Sequence, residues 1–338
     1  MSAPIWITEA EVVSLIDLGE AIQAVERGFE AEARGGALNL PKTHLELSAG
    51  GVHSLGGAVL ADDVVGVKSW THTPGGASPL LTLWRASDGS LLAVVEAFAL
   101  GQYRTSAVAG AATHALSRED STALAVLGTG KQALTQAAAV AAVRGLRSIT
   151  VWGPDPERRA AFARSVENAL AIETTAASSA VEAAHGADII TLVTRAKSPF
   201  LAADDVARGA HVNAVGAIAL DRAEFDPKLL RRCDVVVSDS VEQARRFSRE
   251  LADFYGDDDR AWESVRPVAS VIGGGYERPA DSDVTLLKAM GVGIADVSIG
   301  RFVYEQAIEN KIGTELPTPD RSRPRLRSNL SRPGVGYV

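Results

Sequence analysis

The chain has 338 residues, 46% of them hydrophobic and 22% charged, with a net charge of −8. That length predicts two domains or one large one, and the composition is that of an ordinary globular protein. No block of like charge forms a nucleic-acid stripe, and no apolar run reaches the ~18 residues of a membrane span, so neither partner is expected. The single cysteine, Cys233, rules out an internal disulfide framework. It precedes the run Val235-Val236-Val237 and reads as a buried structural thiol. Glu9 and Glu11 stand early and the start is not basic, so no signal peptide is expected and the protein reads as cytoplasmic.

Residues 10–35 predict one helix, because Leu15, Ile16, Ala21, Ile22, Val25 and Phe29 recur at three- and four-residue spacings. From about residue 40 to 95 the pattern changes. Short apolar runs separated by Gly, Asp-Gly and Pro-Gly predict antiparallel strands over 43–47, 57–60, 64–72, 80–85 and 91–95. Ser87-Asp88-Gly89 is a hairpin-turn signal. A helix from about Ala97 to Leu116 carries Arg104-Thr105-Ser106-Ala107, and the polar residues 117–121 mark a boundary.

Beyond that boundary strands and helices alternate. Ala123-Leu124-Ala125-Val126-Leu127 suits a buried parallel strand. Gly128-Thr129-Gly130-Lys131-Gln132-Ala133 follows at once, then an alanine-rich helix to about Arg144 and a second strand, Ser148-Ile149-Thr150-Val151-Trp152. This is a dinucleotide fingerprint in a strand-turn-helix-strand setting. Gly128 makes the tight turn, Gly130 lets a pyrophosphate approach the backbone, and Ala133 takes the third small position. The helix N-terminus then faces the diphosphate. Spaced glycines alone would be weak, and a ligand-free βαβ turn is the bland alternative. The full setting specifies a nicotinamide or flavin site.

Further strands are expected over 188–193, 211–215 and 234–238, each beside a helical stretch, which argues for a doubly wound parallel sheet. A long helical run is expected over 284–311, broken or closely packed around Gly291, Gly293 and Gly300. Residues 318–338, rich in Pro, Arg and Ser, read as an arm or disordered tail. The fold class is therefore α/β: a Rossmann-type doubly wound sheet over 118–295, inserted into a discontinuous α+β domain of 1–117 plus 296–338.

At this point the chain resembles the ornithine cyclodeaminase and mu-crystallin family over nearly its full length. The motifs, in order, are Gly66-Val67-Lys68, Asp88-Gly89 with Leu91-Leu92-Ala93, Arg104-Thr105-Ser106-Ala107 and the glycine turn. Ala187-Asp188 through Val193-Thr194, Gly209-Ala210-His211-Val212-Asn213-Ala214-Val215-Gly216, and Thr285-Leu286-Leu287-Lys288 leading through Gly291 to Asp296 complete them. The resemblance implies a homodimer in which the N-terminal sheet forms both the interface and the substrate pocket. It also implies a nicotinamide cofactor and an α-amino or α-imino acid substrate.

Family members surround the substrate carboxylate with an Arg, a Lys and a second Arg, and Lys68 and Arg104 match two of these. The chemistry stands without the family. A guanidinium fork grips a carboxylate bidentately, and an ammonium adds a compact charge beside it. Lys68 lies in an apolar strand, where an unpaired charge is costly and a bound anion offsets the cost. Each has a plainer reading, as an exposed strand lysine and a helix-surface arginine. The family's first Arg falls at Lys42, which keeps the charge and loses the fork. Lys68, Trp70 and His72 alternate and share a strand face. His72 is thereby a candidate proton donor, with an exposed loop histidine as the alternative. Lys68 is the better single candidate. His44, His53 and His211 read as structural.

The expected cofactor contacts are Thr105, Gly128, Thr129, Gly130, Lys131, Gln132, Ala133, Gly153, Arg158, Arg159, Thr194, Val215 and Gly216; no metal is expected. Gly153 holds the position where an acid usually reads the ribose, and Arg158 and Arg159 stand close enough to meet a 2′-phosphate, which favours NADP(H) over NAD(H). Asp155 is a possible acid nearby, and the arginines have an exposed helix start as their alternative. Cyclodeaminases and the related alanine dehydrogenases carry an Asp shortly after the Gly-Ala that follows Asn-Ala-Val; here Ile218 stands there and Asp221 three positions later. Isoleucine cannot take a proton, so water activation by that route is lost. The ketimine-reductase branch also lacks that Asp. The expectation is reduction of a cyclic ketimine carboxylate. A cyclodeaminase or alanine-type dehydrogenase with a displaced base, and a non-catalytic NADPH-binding protein, are the alternatives.

Overall fold

The computed structural model describes residues 3–320 and 322–324. Two eight-stranded sheets organise the chain. The first contains β1 (Ile5–Ile7), β2 (Ala37–Leu47), β3 (Gly50–Val59), β4 (Val64–Thr73), β5 (Gly76–Ala77), β6 (Leu80–Arg85) and β7 (Leu91–Glu96). The second contains β8 (Ala123–Leu127), β9 (Ser148–Trp152), β10 (Glu173–Ala176), β11 (Ile189–Leu192) and β12 (Ala210–Ala214). It continues through β13 (Cys233–Ser238), β14 (Val265–Pro267) and β15 (Val284–Lys288), and β16 (Thr314–Glu315) returns to the first sheet beside β1.

The helices are α1 (Glu9–Leu15), α2 (Leu18–Ala33), α3 (Phe98–Leu116), α4 (Ala133–Val143), α5 (Pro156–Leu170) and α6 (Ala180–Ala184). They continue with α7 (Val241–Phe247), α8 (Arg249–Tyr255), α9 (Asp259–Trp262), α10 (Val268–Ile272) and α11 (Gly293–Asn310). Among the described residues no helix is long and apolar enough to cross a membrane. The expected arm over 318–338 lies mostly outside the described residues.

Strand order in the second sheet is β10-β9-β8-β11-β12-β15-β13-β14, and every pairing is parallel. The order reverses between β8 and β11, which opens a crevice at the strands' carboxyl ends. The first sheet is largely antiparallel, ordered β16-β1-β7-β6-β4-β3-β2, with β5 on β4. Helix α11 packs across β3 and β4. Small residues permit this close approach: a Cβ on Gly293 would stand 2.0 Å from the Gly56 carbonyl oxygen.

Helix α3 ties the two sheets together. Its last turns are fixed to the second sheet, where Asn213 Nδ2 donates to Thr113 Oγ1 at 2.8 Å and Thr285 Oγ1 donates to the Leu116 carbonyl at 2.9 Å. Its first turns stay with the first sheet and carry Arg104 and Thr105 to the mouth of the crevice. His211 is fully buried between Thr285 and Asn213, and burial pushes its imidazole down to about 3, so it is a neutral structural group.

Two expectations are corrected. The helix over 10–35 is two helices, because Asp17 caps α2 in a capping box with Glu20 while Thr8 and Glu11 do the same for α1. Two caps outweigh a continuous apolar stripe. The helical run expected from 284 begins as strand β15, whose five residues are all buried between β12 and β13. A short run buried on both faces carries no periodicity that separates strand from helix. Cys233 is partly buried, its Sγ 3.4 Å from the Leu229 carbonyl, and burial pushes the thiol well above its ordinary range.

Candidate active site

Three cations and two carboxylates meet where the first sheet faces the crevice. Lys68, on β4, is 4% exposed and its Nζ donates to Asp296 in a short ion pair. Asp296 is fully buried in the first turn of α11, and Arg104 Nε lies 3.6 Å from its other oxygen. Asp239 follows the carboxyl end of β13 and accepts from the backbone N–H groups of Met290, at 2.6 Å, and Gly291, at 2.8 Å. Lys42 sits where the β2–β3 register shifts. Burial and the charge of Arg104 hold its ammonium below the usual lysine range, while Asp239 and Asp296 act the other way.

The electrostatics of Lys68 follow the same logic. Burial depresses it to about 8, Asp296 opposes that, and Arg104 and Lys42 add to the fall. Its Nζ also lies 5.3 Å from the centroid of the Trp70 ring. Glu32 lies close enough to Asp239 for the two charges to act on each other, and burial pushes both carboxyls above their ordinary range. Arg104 Nε and Asp296 Oδ2 are buried without a hydrogen-bond partner. Those two atoms face each other at 3.6 Å, so Lys68 and Arg104 share one carboxylate, and clustered cations of this kind attract an anionic group.

Beside this cluster lies a cleft of about 1410 Å³ at the carboxyl ends of β8, β9, β11 and β12. Thr105, Gly128, Thr129, Gly130, Lys131, Gln132, Thr194, Val215 and Gly216 line it. Gly128 has φ +136°, and a Cβ there would stand 2.5 Å from the Val193 carbonyl oxygen. A Cβ on Gly130 would meet no protein atom within 4 Å, so that glycine opens onto the cleft. The turn therefore has the shape a dinucleotide pyrophosphate requires. Ala133 is buried at the start of α4, where it packs, and does not line the cleft.

Gly153, Arg158 and Arg159 do not line the cleft, whose wall there is formed by Trp152 and Pro154. Gly153 is buried against Thr129, and Arg159 Nη1 donates to its carbonyl at 2.9 Å. Arg158 is exposed. Asp155 accepts from the N–H groups of Glu157 and Arg158 as the N-cap of α5. That carboxylate is engaged by its own helix.

His72 is exposed at the end of β4 and forms part of the cleft wall with Thr73 and Gly50. His44 and His53 stack with ring centroids 4.4 Å apart, and His53 stacks on Trp70 at 4.9 Å, so both stand on the Lys68 face of the sheet. Ile218 is 39% exposed with no charge of its own, and Asp221 is a surface residue 3.8 Å from Arg222.

Sequence reasoning assigned no role to Asp239 or Asp296. Asp239 carried a usable signal, an acid just past a parallel strand, where ligands of such sheets bind. Asp296 closes the last of the family motifs, which names the residue without giving it a partner or a role.

A model of the ornithine cyclodeaminase/mu-crystallin family matches residues 4–311. The chain belongs to this family. It is 28% identical over 319 residues to the alanine dehydrogenase of Archaeoglobus fulgidus, covering 92% of this chain and 97% of that one. It is 32% identical over 228 residues to the mouse ketimine reductase mu-crystallin, covering 66% and 67%. Among solved structures, the Thermococcus litoralis Δ1-pyrroline-2-carboxylate reductase in complex with NADH and L-proline is 27% identical. It superposes with a TM-score of 0.85 over 92% of this chain and all of that one. An archaeal alanine dehydrogenase dimer with bound NAD, 28% identical, gives 0.85 over 93% and 99%.

Proposed function

We propose that this NAD(P)H-dependent oxidoreductase reduces the C=N bond of a cyclic ketimine carboxylate, such as pyrroline- or piperideine-2-carboxylate, to the cyclic amino acid. The observation that carries the reading is the clustering of Lys42, Lys68 and Arg104 beside a cleft lined by the glycine turn. The relatives that reduce imines and the bound NADH and L-proline of the Thermococcus litoralis enzyme support it.

When bound, the dihydronicotinamide supplies hydride to the imine carbon. Lys68, Arg104 and Lys42 bind the carboxylate and fix the ring against the cleft. Lys68 Nζ, titrating at about 8, holds a proton at neutral pH and can deliver it to the ring nitrogen; His72 and water are the other donors. Holding two reactants in a fixed geometry supplies much of the rate. The chain offers no acid at position 218 to activate water, so addition of hydride is favoured over hydrolytic release of ammonia.

NADP(H) is the favoured cofactor, since Asp155 Oδ1 caps α5 and Arg158 is exposed in the first turn of that helix, just past the cleft residues Trp152 and Pro154. The working unit is a homodimer, with residues 1–117 and 296–338 as the dimerisation and substrate part and 118–295 as the dinucleotide part. Leu38 and Leu40 on β2, 58% and 50% exposed, give the first sheet an uncovered apolar face suited to a second copy. The deciding experiment follows NADPH and NADH oxidation with a panel of cyclic imines and of keto acid plus amine mixtures. Oxidation with no member of the panel would leave only a binding role.

A further inference from the structure

A buried carboxylate lies beneath the far wall of the cleft. Glu224 is 0% exposed, and its two oxygens hold two separate loops. Oε1 accepts from the N–H of Thr194, at 2.6 Å, and from Thr194 Oγ1, at 2.8 Å. Oε2 accepts from the N–H groups of Gly216, at 2.8 Å, and Ala217, at 3.0 Å. Thr194 follows β11 and Gly216 follows β12, so one side chain bridges the ends of adjacent parallel strands. The fit is close: a Cβ on Gly216 would stand 2.2 Å from the Thr194 carbonyl oxygen and 2.4 Å from Glu224 Oε1.

Glu224 is itself held. Its backbone N–H donates to Glu250 Oε1 at 3.0 Å, and Lys288 Nζ donates to Glu250 Oε2 at 3.1 Å. Both of these residues are also fully buried. Burial pushes the Glu224 carboxyl above its ordinary range, and Lys288 and the Thr194 and Ala217 contacts oppose the rise. All four groups on its oxygens can donate, which suits a carboxylate accepting at both ends.

We propose that Glu224 is a positioning residue that fixes the Thr194 and Gly216 loops against each other, and so sets the nicotinamide end of the cofactor without touching it. The argument rests on the dinucleotide reading of the cleft. In a doubly wound sheet the pyrophosphate sits at the glycine turn after the first strand. The adenosine half then extends over β9, toward Trp152 and Pro154. The other half must cross β11 and β12 to reach Lys68 and Arg104. Thr194, Val215 and Gly216 form the floor of that second half. A fault in their spacing tilts the reacting ring and leaves the adenosine half in place.

Two variants separate this role from general destabilisation. Glu224→Gln keeps the shape and turns one accepting oxygen into a donor facing N–H groups, which breaks one loop contact. Glu224→Asp keeps the charge and is a methylene too short to span both loops. Affinity is measured by fluorescence titration with NADPH and NADH, and by calorimetry with ADP-ribose and its 2′-phosphate, which lack the nicotinamide. Expected is a weakening of roughly 10- to 100-fold for the whole cofactor with the fragments bound as in wild type. Equal losses for cofactor and fragment, or no loss for either, overturn the proposal.

Hydrogen exchange on the cofactor-free wild type supplies a measurement that needs no variant. Slow exchange at the Thr194, Gly216 and Ala217 amides supports the clamp, and fast exchange overturns it. Wild type that binds neither nucleotide refutes the dinucleotide reading itself, which is a different failure.

Discussion

Lys68 and Asp296, 228 positions apart in sequence, form a buried ion pair in which the ammonium is 4% exposed and the carboxylate 0%. The pair joins β4 to the first turn of α11, and so couples the architecture of the first sheet to the chemistry of the cleft. Lys68 is depressed to about 8 by burial, against an ordinary value of 10.5, with Asp296 opposing the fall. The protonated form is the one that binds a carboxylate and can give up a proton. The kcat/KM for imine reduction should therefore fall as pH rises through about 8. Stability runs the other way. Between about 8 and 10.5 the unfolded chain holds a proton that the folded chain has lost, so this group makes the fold more stable with rising pH in that window. Asp296→Asn removes the group that raises Lys68, so the alkaline limb should move to lower pH. Breaking a buried pair should also cost roughly 3–5 kcal/mol of stability. A pH–rate profile and a denaturant titration of wild type and variant check both parts; an unmoved limb removes Asp296 from the control of Lys68.

Arg104 Nε lies 3.6 Å from the other oxygen of the same carboxylate. Arg104→Ala should chiefly weaken substrate binding and leave NADPH affinity near wild type, because the residue lies outside the glycine turn. Loss of a charge-assisted hydrogen bond costs about 1.5–3 kcal/mol, which is a rise of roughly 10- to 150-fold in KM. Arg104→Lys keeps the charge without the fork and should fall between. Unchanged kinetics in the alanine variant would take Arg104 out of the site.

These two residues show which parts of the molecule sequence can carry. Arg104 lies in a contiguous motif, and the glycine turn draws its meaning from backbone shape within six residues, so both were legible from one stretch of chain. Lys68, Trp70 and His72 share a face by simple alternation. The partners of Lys68 and Arg104 come from α11 and from the end of β13, and no local pattern brings those elements together. Strand β15 was misread for a related reason, since burial on both faces erases periodicity. The Glu224, Glu250 and Lys288 network was invisible, because three ordinary charged residues become informative only when all three are fully buried.

Gly130 has no protein atom within 4 Å of its would-be Cβ, so a side chain there meets only the cleft. Gly130→Val should keep the fold and its melting temperature, and lose most cofactor affinity by occupying the place of the pyrophosphate. Gly128 differs, because its φ of +136° and the Val193 carbonyl 2.5 Å away predict a loss of stability as well for Gly128→Val. Cofactor fluorescence and thermal melts on the two variants make the comparison. Wild-type affinity in the Gly130 variant would count against the pyrophosphate assignment.

Arg158 and Arg159, the two arginines expected to meet a 2′-phosphate, have different surroundings. Arg159 donates to the Gly153 carbonyl, and Arg158 is exposed. Arg158→Ala should weaken NADPH and spare NADH, since only the former carries a 2′-phosphate. Parallel KM measurements with both cofactors test this, and an equal effect on the two would place Arg158 outside the ribose site.

Ile218 leaves the loop after β12 without an acid at that position. Hydride addition to an iminium needs no water-activating base, whereas deaminating chemistry does. The wild-type protein should reduce cyclic ketimines and should not release ammonia from ornithine with NAD+. The next acid along the chain, Asp221, is 63% exposed in its side chain and paired with Arg222, while the Glu224 carboxylate beside Ala217 is fully buried and engaged by Thr194, Gly216 and Ala217. Measuring ammonia and proline from ornithine tests the point directly. Turnover comparable to the ketimine reaction would sink the reductase assignment and require a base from elsewhere in the site, with His72 on the cleft wall the first to replace.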